Sequence, residues 1–358
     1  LGEDPCKRYD MDQGLGAGLT PPAGFKSPDY SRYHPGRTHG KDGFEIDGNG
    51  CGHLNHGFHH FTEYLSPLRD AQSFAELEKY PTVSNAGWSD EKLREAGKEA
   101  HAQGNYASIF VGHMYENAWQ VRGYEAFLMD LLTQREWAEL LLDRFMDNDL
   151  RVAEAAGRAG YDCIYTGDDV ANQTALMFAP PLWREVMKPR WARIIAAAKK
   201  HKPDIHVWYH SDGNISDIIE DLVEIGIDIL NPVQPECVDP VAIRKRFGKR
   251  LAFDGCVGTQ TVFPFGTPDD MRKTVRGLAR DPWALRLPPV SCDTGARAIQ
   301  ALDDEKLEVG ALFIGVNVVM PDVISVIRRA HQLRPGVPIT LVLEVDGINP
   351  HDEDQLRK

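Results

Sequence analysis

Between Cys163 and Leu278 the chain repeats one pattern: a short apolar run, a polar tip, then a stretch of helical periodicity. Cys163-Ile164-Tyr165 ends at Thr166-Gly167-Asp168-Asp169, and Trp191 to Lys199 follows as a helix. Ile205 to Trp208 ends at Tyr209-His210-Ser211-Asp212-Gly213-Asn214, ahead of a helix expected from Ile215 to Ile225 and closed by Gly226. Asp228-Ile229-Leu230 ends at Asn231-Pro232, with Gln234 just beyond, before a helix from Val241 to Phe247. Leu251-Ala252-Phe253 ends at Asp254-Gly255-Cys256, before a helix from Pro268 to Leu278. Short apolar strands alternating with helices call for right-handed βα units and a parallel sheet covered on both faces.

The polar tips narrow the architecture. An open doubly wound sheet gathers ligands at one switch point, whereas a closed barrel draws side chains from the C-terminal end of every strand. Four consecutive units here end in polar residues, and the sequence has no glycine-rich dinucleotide or phosphate-loop fingerprint. The expected fold is therefore α/β, a (β/α)8 TIM barrel.

Outside this rhythm, residues 1 to about 60 are rich in Gly, Pro, Asp and His, and Gly14 to Gly43 reads as extended loop. Helical period begins near Phe74, Ser108 to Val111 is a short strand ending at Gly112-His113, and Tyr124 to Leu150 holds one or two helices. After Ala284 the rhythm changes, with strands expected in 310–320 and 339–345 around a helix from Pro321 to Leu333. The expected organisation is a loop-rich segment over 1–75, a barrel body over 76–283, and an atypical segment over 284–358 that completes the barrel or is appended to it.

A length of 358 residues suits one barrel with insertions. The formal charge of −13 and the scattered lysines and arginines argue against sequence-independent nucleic-acid binding. No apolar run approaches the ~18–20 residues that span a bilayer, and no secretory leader is recognisable. The cysteines at 6, 51, 163, 237, 256 and 292 are far apart, with no CxxC pair, so the expected compartment is the reducing cytoplasm. The first residue is Leu1, which suggests a processed, cloned or incomplete chain.

The chain resembles the uroporphyrinogen decarboxylase (URO-D) superfamily, in the decarboxylase-like branch that merges with corrinoid-dependent methyltransferases. The matching segments are Tyr165-Thr-Gly-Asp-Asp-Val with Gln173, Pro181-Leu-Trp-Arg-Glu running to Lys188-Pro-Arg190, and Tyr209-His-Ser-Asp-Gly-Asn. They continue through Glu224 to Glu236, Phe253 to Gln260, and Phe265-Gly-Thr-Pro268, in the family's order. The resemblance implies a (β/α)8 barrel with its site at the strand C-terminal ends. The family's early strand has no evident counterpart, and 284–358 departs from the usual ending. The implied barrel is thus incomplete or atypical at its first strand and its C-terminal end.

Two departures bear on the reaction. Porphyrinogen decarboxylases carry an arginine-rich N-terminal segment and a late Gly-His-Gly loop, and neither is found here. Arginines there hold the substrate carboxylates by bidentate bonds. Thiol-methylating members bind zinc through His-x-Cys and a distant cysteine, whereas this chain has His210-x-Asp212, with Cys292 about where the distant cysteine would fall. Zinc also accepts histidine and carboxylate ligands. The expected metal ligands are His210 and Asp212, with Cys292 as a third and Cys256 as a weaker candidate.

His210, Asp212 and Asp169 are the expected catalytic residues. Asp212 can serve as a ligand or as a general acid to a leaving oxygen, and Asn214 is placed to cap the following helix instead. Asp168 and Asp169 are adjacent carboxylates, so one of them should hold its proton more tightly. His113, Tyr115, Asp168, Gln173, Asn231, Gln234 and Asp254 are expected to contact substrate. His53, His56, His59 and His60 resemble a metal site by composition, but Gly57 weakens a helical pairing, and a solvated or substrate-contacting loop fits better. Trp119, Trp183 and Trp191 read as packing residues.

The expected function is methyl transfer between a small methylated compound and a corrinoid carried by a partner protein, because the chain has no corrinoid-binding Asp-x-His-x-x-Gly motif. The alternatives are cofactor-free decarboxylation of the uroporphyrinogen type and a non-catalytic binding barrel.

Overall fold

The computed structural model describes residues 16–55, 62–280, 312–315 and 339–342. They fall into two compact units, one over 16–55, 62–238 and 250–256, the other over 239–249 and 257–280 with the two late strands.

The first unit opens with a three-stranded antiparallel sheet, β1 (Phe44–Ile46), β2 (Gly52–Asn55) and β3 (Thr62–Leu65). The sequence reading expects no sheet in this glycine-rich stretch. Asp47 makes the first turn: its Oδ1 accepts the backbone amides of Asn49 (2.8 Å) and Cys51 (3.0 Å), which sets the β1–β2 register. Two short helices follow, α1 (Phe74–Glu78) and α2 (Glu91–Ala102).

Five parallel strands form the main sheet: β4 (Ser108–Gly112), β5 (Cys163–Gly167), β6 (His206–His210), β7 (Ile229–Asn231) and β8 (Ala252–Phe253). Their spatial order is their order in sequence, with no reversal. Without a switch point, such a sheet is the wall of a TIM barrel rather than a doubly wound sheet. Ile109, Val111, Ile164, Thr166, Val207, Tyr209 and Leu230 alternate along the strands and are buried. The opposite face carries Phe110, Tyr165 and Trp208, in register across β4, β5 and β6.

Helices of this unit are α3 (Met114–Arg122), α4 (Tyr124–Thr133), α5 (Arg135–Ala159), α6 (Pro180–Val186), α7 (Lys188–Lys199) and α8 (Ile219–Ile225). Leu141, Leu142, Phe145, Met146 and Ala153 form the buried stripe of α5. Gly157 lets α5 approach α7, since a Cβ there would stand 2.3 Å from the Ala198 carbonyl oxygen. Trp183 and Trp191 are fully buried packing residues. Arg122 is buried with Asp130 at 2.7 Å and donates to the Leu68 carbonyl at 2.7 Å, tying the end of α3 to the preceding segment.

Two boundaries differ from the sequence reading. Strand β6 runs on to His210, which is therefore rigidly held in the sheet. The helix expected from Ile215 begins only at Ile219, because the Asn214 side chain accepts the Ser216 amide (3.1 Å) in a turn instead of capping a helix.

The second unit contains α9 (Pro240–Phe247), α10 (Val262–Phe265) and α11 (Pro268–Arg280). Asp239 caps α9 by accepting the Val241 amide at 2.9 Å. Strands β9 (Leu312–Gly315) and β10 (Ile339–Val342) pair in parallel. The helix expected over 321–333 lies outside the described residues. Among the described residues, no helix is long and apolar enough to cross a membrane.

Candidate active site

The site forms where β4, β5 and β6 end. Backbone pairing sets Gly167 opposite His210, and His210 opposite Asn231. A Cβ on Gly167 would lie 2.2 Å from the His210 carbonyl oxygen, so a bare backbone is required there for the strands to pair. Beyond β5 the chain delivers two carboxylates in succession, Asp168 and Asp169, and they turn to different partners.

Asp169 joins His210 and Asp212. Its Oδ1 accepts the Asp212 amide at 2.8 Å and lies 3.5 Å from His210 Nε2. Each of the three offers one ligand atom within 4.8 Å of the others. On the far side of the ring, His210 Nδ1 lies 2.7 Å from Asn231 Oδ1. The Asn231 amide nitrogen donates to the Asp254 carbonyl (3.1 Å), which leaves Oδ1 as the acceptor and places the proton on Nδ1. His210 Nε2 then presents a lone pair beside the two carboxylates. An oxygen that accepts from the far ring nitrogen and fixes the tautomer in this way is the usual environment of a metal-binding histidine. Asp212 is exposed; partial desolvation and then the Asp169 charge move its carboxyl above the ordinary range, with His210 opposing.

Asp168 turns to α3 instead. Its Oδ1 accepts the Glu116 amide at 3.0 Å, a carboxylate seated at a helix N-terminus. His113 precedes that helix, and its Nδ1 lies 3.2 Å from Glu116 Oε2 and within hydrogen-bonding reach of the Gly167 carbonyl. His113, Glu116 and Asp168 again offer ligand atoms within 4.8 Å of each other. Burial and the Glu116 charge raise Asp168 well above its usual range. Glu116 is raised by burial, with the His113 imidazole opposing.

Sequence reading missed two neighbours. Asp149 is wholly buried on α5, raised by burial, and lies beside Gly112 at the end of β4. Its place in the apolar stripe after Leu142, Phe145 and Met146 was the available signal. Trp208 stacks on His210 (centroids 5.9 Å apart, planes at 12°) and donates to Asp254 Oδ2 at 2.8 Å. It marks an aromatic floor, edge-on to Tyr165, beneath the polar ends.

Several expected contacts fall elsewhere. Tyr115 is fully buried between Phe127 and Phe178, so it packs the core instead of meeting substrate. Gln234 is buried and accepts the Gly213 amide at 3.2 Å, shaping the loop after β6. Asp168 is buried at the α3 terminus, which removes it from direct substrate contact. Asp254 is committed to Trp208, and Gln173 is exposed on the loop after β5. Cys256 is not among the atoms gathered at His210, and burial pushes its thiol up to about 12. Cys292, His56, His59 and His60 lie outside the described residues. His53 instead pairs with Asp47 at 2.9 Å beside buried Cys51.

The fold and site define a TIM-barrel protein with imidazole and carboxylate groups converging at its strand ends. The sequence profile of the uroporphyrinogen decarboxylase (URO-D) family matches residues 92–284, and the chain belongs to that family. No curated protein matches the chain. Among solved structures it is similar to a methyltransferase from Methanosarcina mazei, at 19% identity and TM-score 0.45, covering 56% of this chain and 58% of that one. It is also similar to a psychrophilic glycoside hydrolase family 10 endo-beta-1,4-xylanase, at 9% identity and TM-score 0.33, covering 73% and 74%. The chain thus spans 58% of the length of the methyltransferase it matches.

Proposed function

We propose that this chain is a methyltransferase that moves a methyl group between a small methylated compound and a corrinoid carried by a separate protein. The observation that carries the reading is the convergence of Asp169, His210 and Asp212, with Asn231 holding His210 in the tautomer that frees Nε2. When a methyl group leaves oxygen, nitrogen or sulfur without its bonding pair, the heteroatom keeps that pair and needs a proton or a Lewis acid. Asp212, whose carboxyl is raised above its ordinary range, is the group placed to share a proton with that heteroatom. Asp169 faces His210 and Asp212, and orients both.

The same three side chains suit zinc, which takes imidazole nitrogen and carboxylate oxygen. When bound, zinc would supply a Lewis acid to the heteroatom. Decarboxylation of a polyanionic porphyrinogen is less well served. Among the described residues, no lysine or arginine pairs with Glu116, Asp169 or Asp212 to receive substrate carboxylates. Four free cysteines among the described residues agree with a reducing, cytoplasmic compartment.

The test is methylation of reduced cobalamin, or of a corrinoid protein, from a panel of methyl ethers, methylamines and methyl thioethers. His210→Ala should lower kcat/KM by at least about 100-fold in this assay. Cofactor-free release of carbon dioxide from a porphyrinogen, with no methyl transfer from any donor, would overturn the reading.

A further inference from the structure

We propose that His113, Glu116 and Asp168 form a divalent-cation site, separate from the Asp169–His210–Asp212 cluster and taking a first-row metal such as Zn2+ or Mn2+. It does not depend on which group the enzyme transfers.

The first support is geometric. His113 Nδ1 and Glu116 Oε2 are 3.2 Å apart, and Asp168 offers an oxygen within 4.8 Å of both. Two ligand atoms bound to one tetrahedral metal at about 2.0–2.1 Å stand roughly 3.3 Å apart. The Gly167 carbonyl also lies against His113 Nδ1, so several oxygens converge on one nitrogen.

The second support is independent of that clustering. Asp168 is completely buried, and its Oδ2 has no hydrogen-bond partner, although Oδ1 accepts the Glu116 amide. The Glu116 amide accounts for one oxygen and leaves the other buried without a hydrogen-bond partner. Buried carboxylate oxygens are stable only with a proton, a donor or a metal. Asp149 Oδ2 is a second buried oxygen without a partner.

The charge balance points the same way. Glu116 lies within the electrostatic influence of both Asp169 and His210, so the two triads share one field. Among the described residues, no lysine or arginine pairs with Glu116, Asp149 or Asp168. A divalent cation at His113 would displace the proton from Nδ1 and bring that region towards neutrality.

Equilibrium dialysis of the full chain against Zn2+ and Mn2+, with metal quantified per folded chain, tests this site. The wild type should bind two ions, and Glu116→Gln and His210→Ala should each bind one. Asp168→Asn should also bind one, but it places an amide in a fully buried position, so Glu116→Gln is the primary variant and circular dichroism confirms its fold. Loss of one site should weaken that ion's binding by at least about 10-fold. A folded Glu116→Gln chain with unchanged stoichiometry and affinity overturns this site. So does a wild type that binds one ion lost only in His210→Ala, an outcome that leaves the methyl-transfer reading standing. Two ions per chain in a protein that transfers no methyl group would support this site while overturning that reading.

Discussion

Asp221 and Asp168 are both buried carboxylates of the same unit, at 7% and 0% exposure, and their surroundings are opposite. Asp221 on α8 receives Lys188 Nζ at 2.7 Å and Arg184 Nε at 2.8 Å, and Lys188 also reaches Glu224 at 2.6 Å. Burial alone would raise Asp221, but the Lys188 and Arg184 hydrogen bonds win and its carboxyl sits below the usual range. Asp168 has two backbone amides from α3 and no cationic side chain, and burial together with Glu116 carries it the other way. Paired carboxylates fasten helices together. Unpaired ones, gathered at strand ends, hold charge in reserve for a proton, a metal or a substrate.

Cutting a fully buried pair should have the largest effect. Arg122→Ala leaves Asp130 buried without its cation and should lower unfolding stability by about 3–5 kcal/mol in denaturant titrations. A loss below about 1 kcal/mol would mean that burial of a pair says little about its role here.

Asp221→Asn should cost about 1–3 kcal/mol at neutral pH, since Lys188 and Arg184 lose their shared anion. The sign with pH follows from the lowered carboxyl. The contribution is complete above the unfolded-state value of about 3.9 and is lost as pH falls through the folded value. Stability curves of wild type and variant should therefore converge below roughly pH 4, and parallel curves would break the contrast with the site.

The smallest effect should come from Asp212→Asn. Asp212 is raised, so its ionised form opposes folding above the folded value and the penalty disappears as pH falls through it. The variant should be as stable as wild type, or more stable by roughly a few tenths of a kcal/mol at neutral pH, while methyl transfer falls. A clear destabilisation at neutral pH would move Asp212 into the same structural class as Asp221.

Most of the barrel wall was legible in the sequence. Each expected strand from Ser108 to Phe253 forms, because a short apolar run between polar tips has few other ways to be buried. The three-stranded sheet around Asp47 was not legible, since its strands are short and its glycines read as loop. In the site, Asp169, His210 and Asp212 were readable from their position at strand ends. Asp149 was harder to see because its partners come from other elements, and Tyr115 misled because sequence does not show which side of α3 faces the core.

The sequence by itself determined a parallel α/β framework and the strand ends that carry polar residues, because period and apolar content act locally along the chain. It also placed Asp168 and Asp169 side by side. Only the tertiary structure decided that one carboxylate caps α3 in full burial while the next faces His210. That division depends on how α3 and β6 pack around the end of β5, where burial and neighbouring charge, not residue type, set what a carboxylate does.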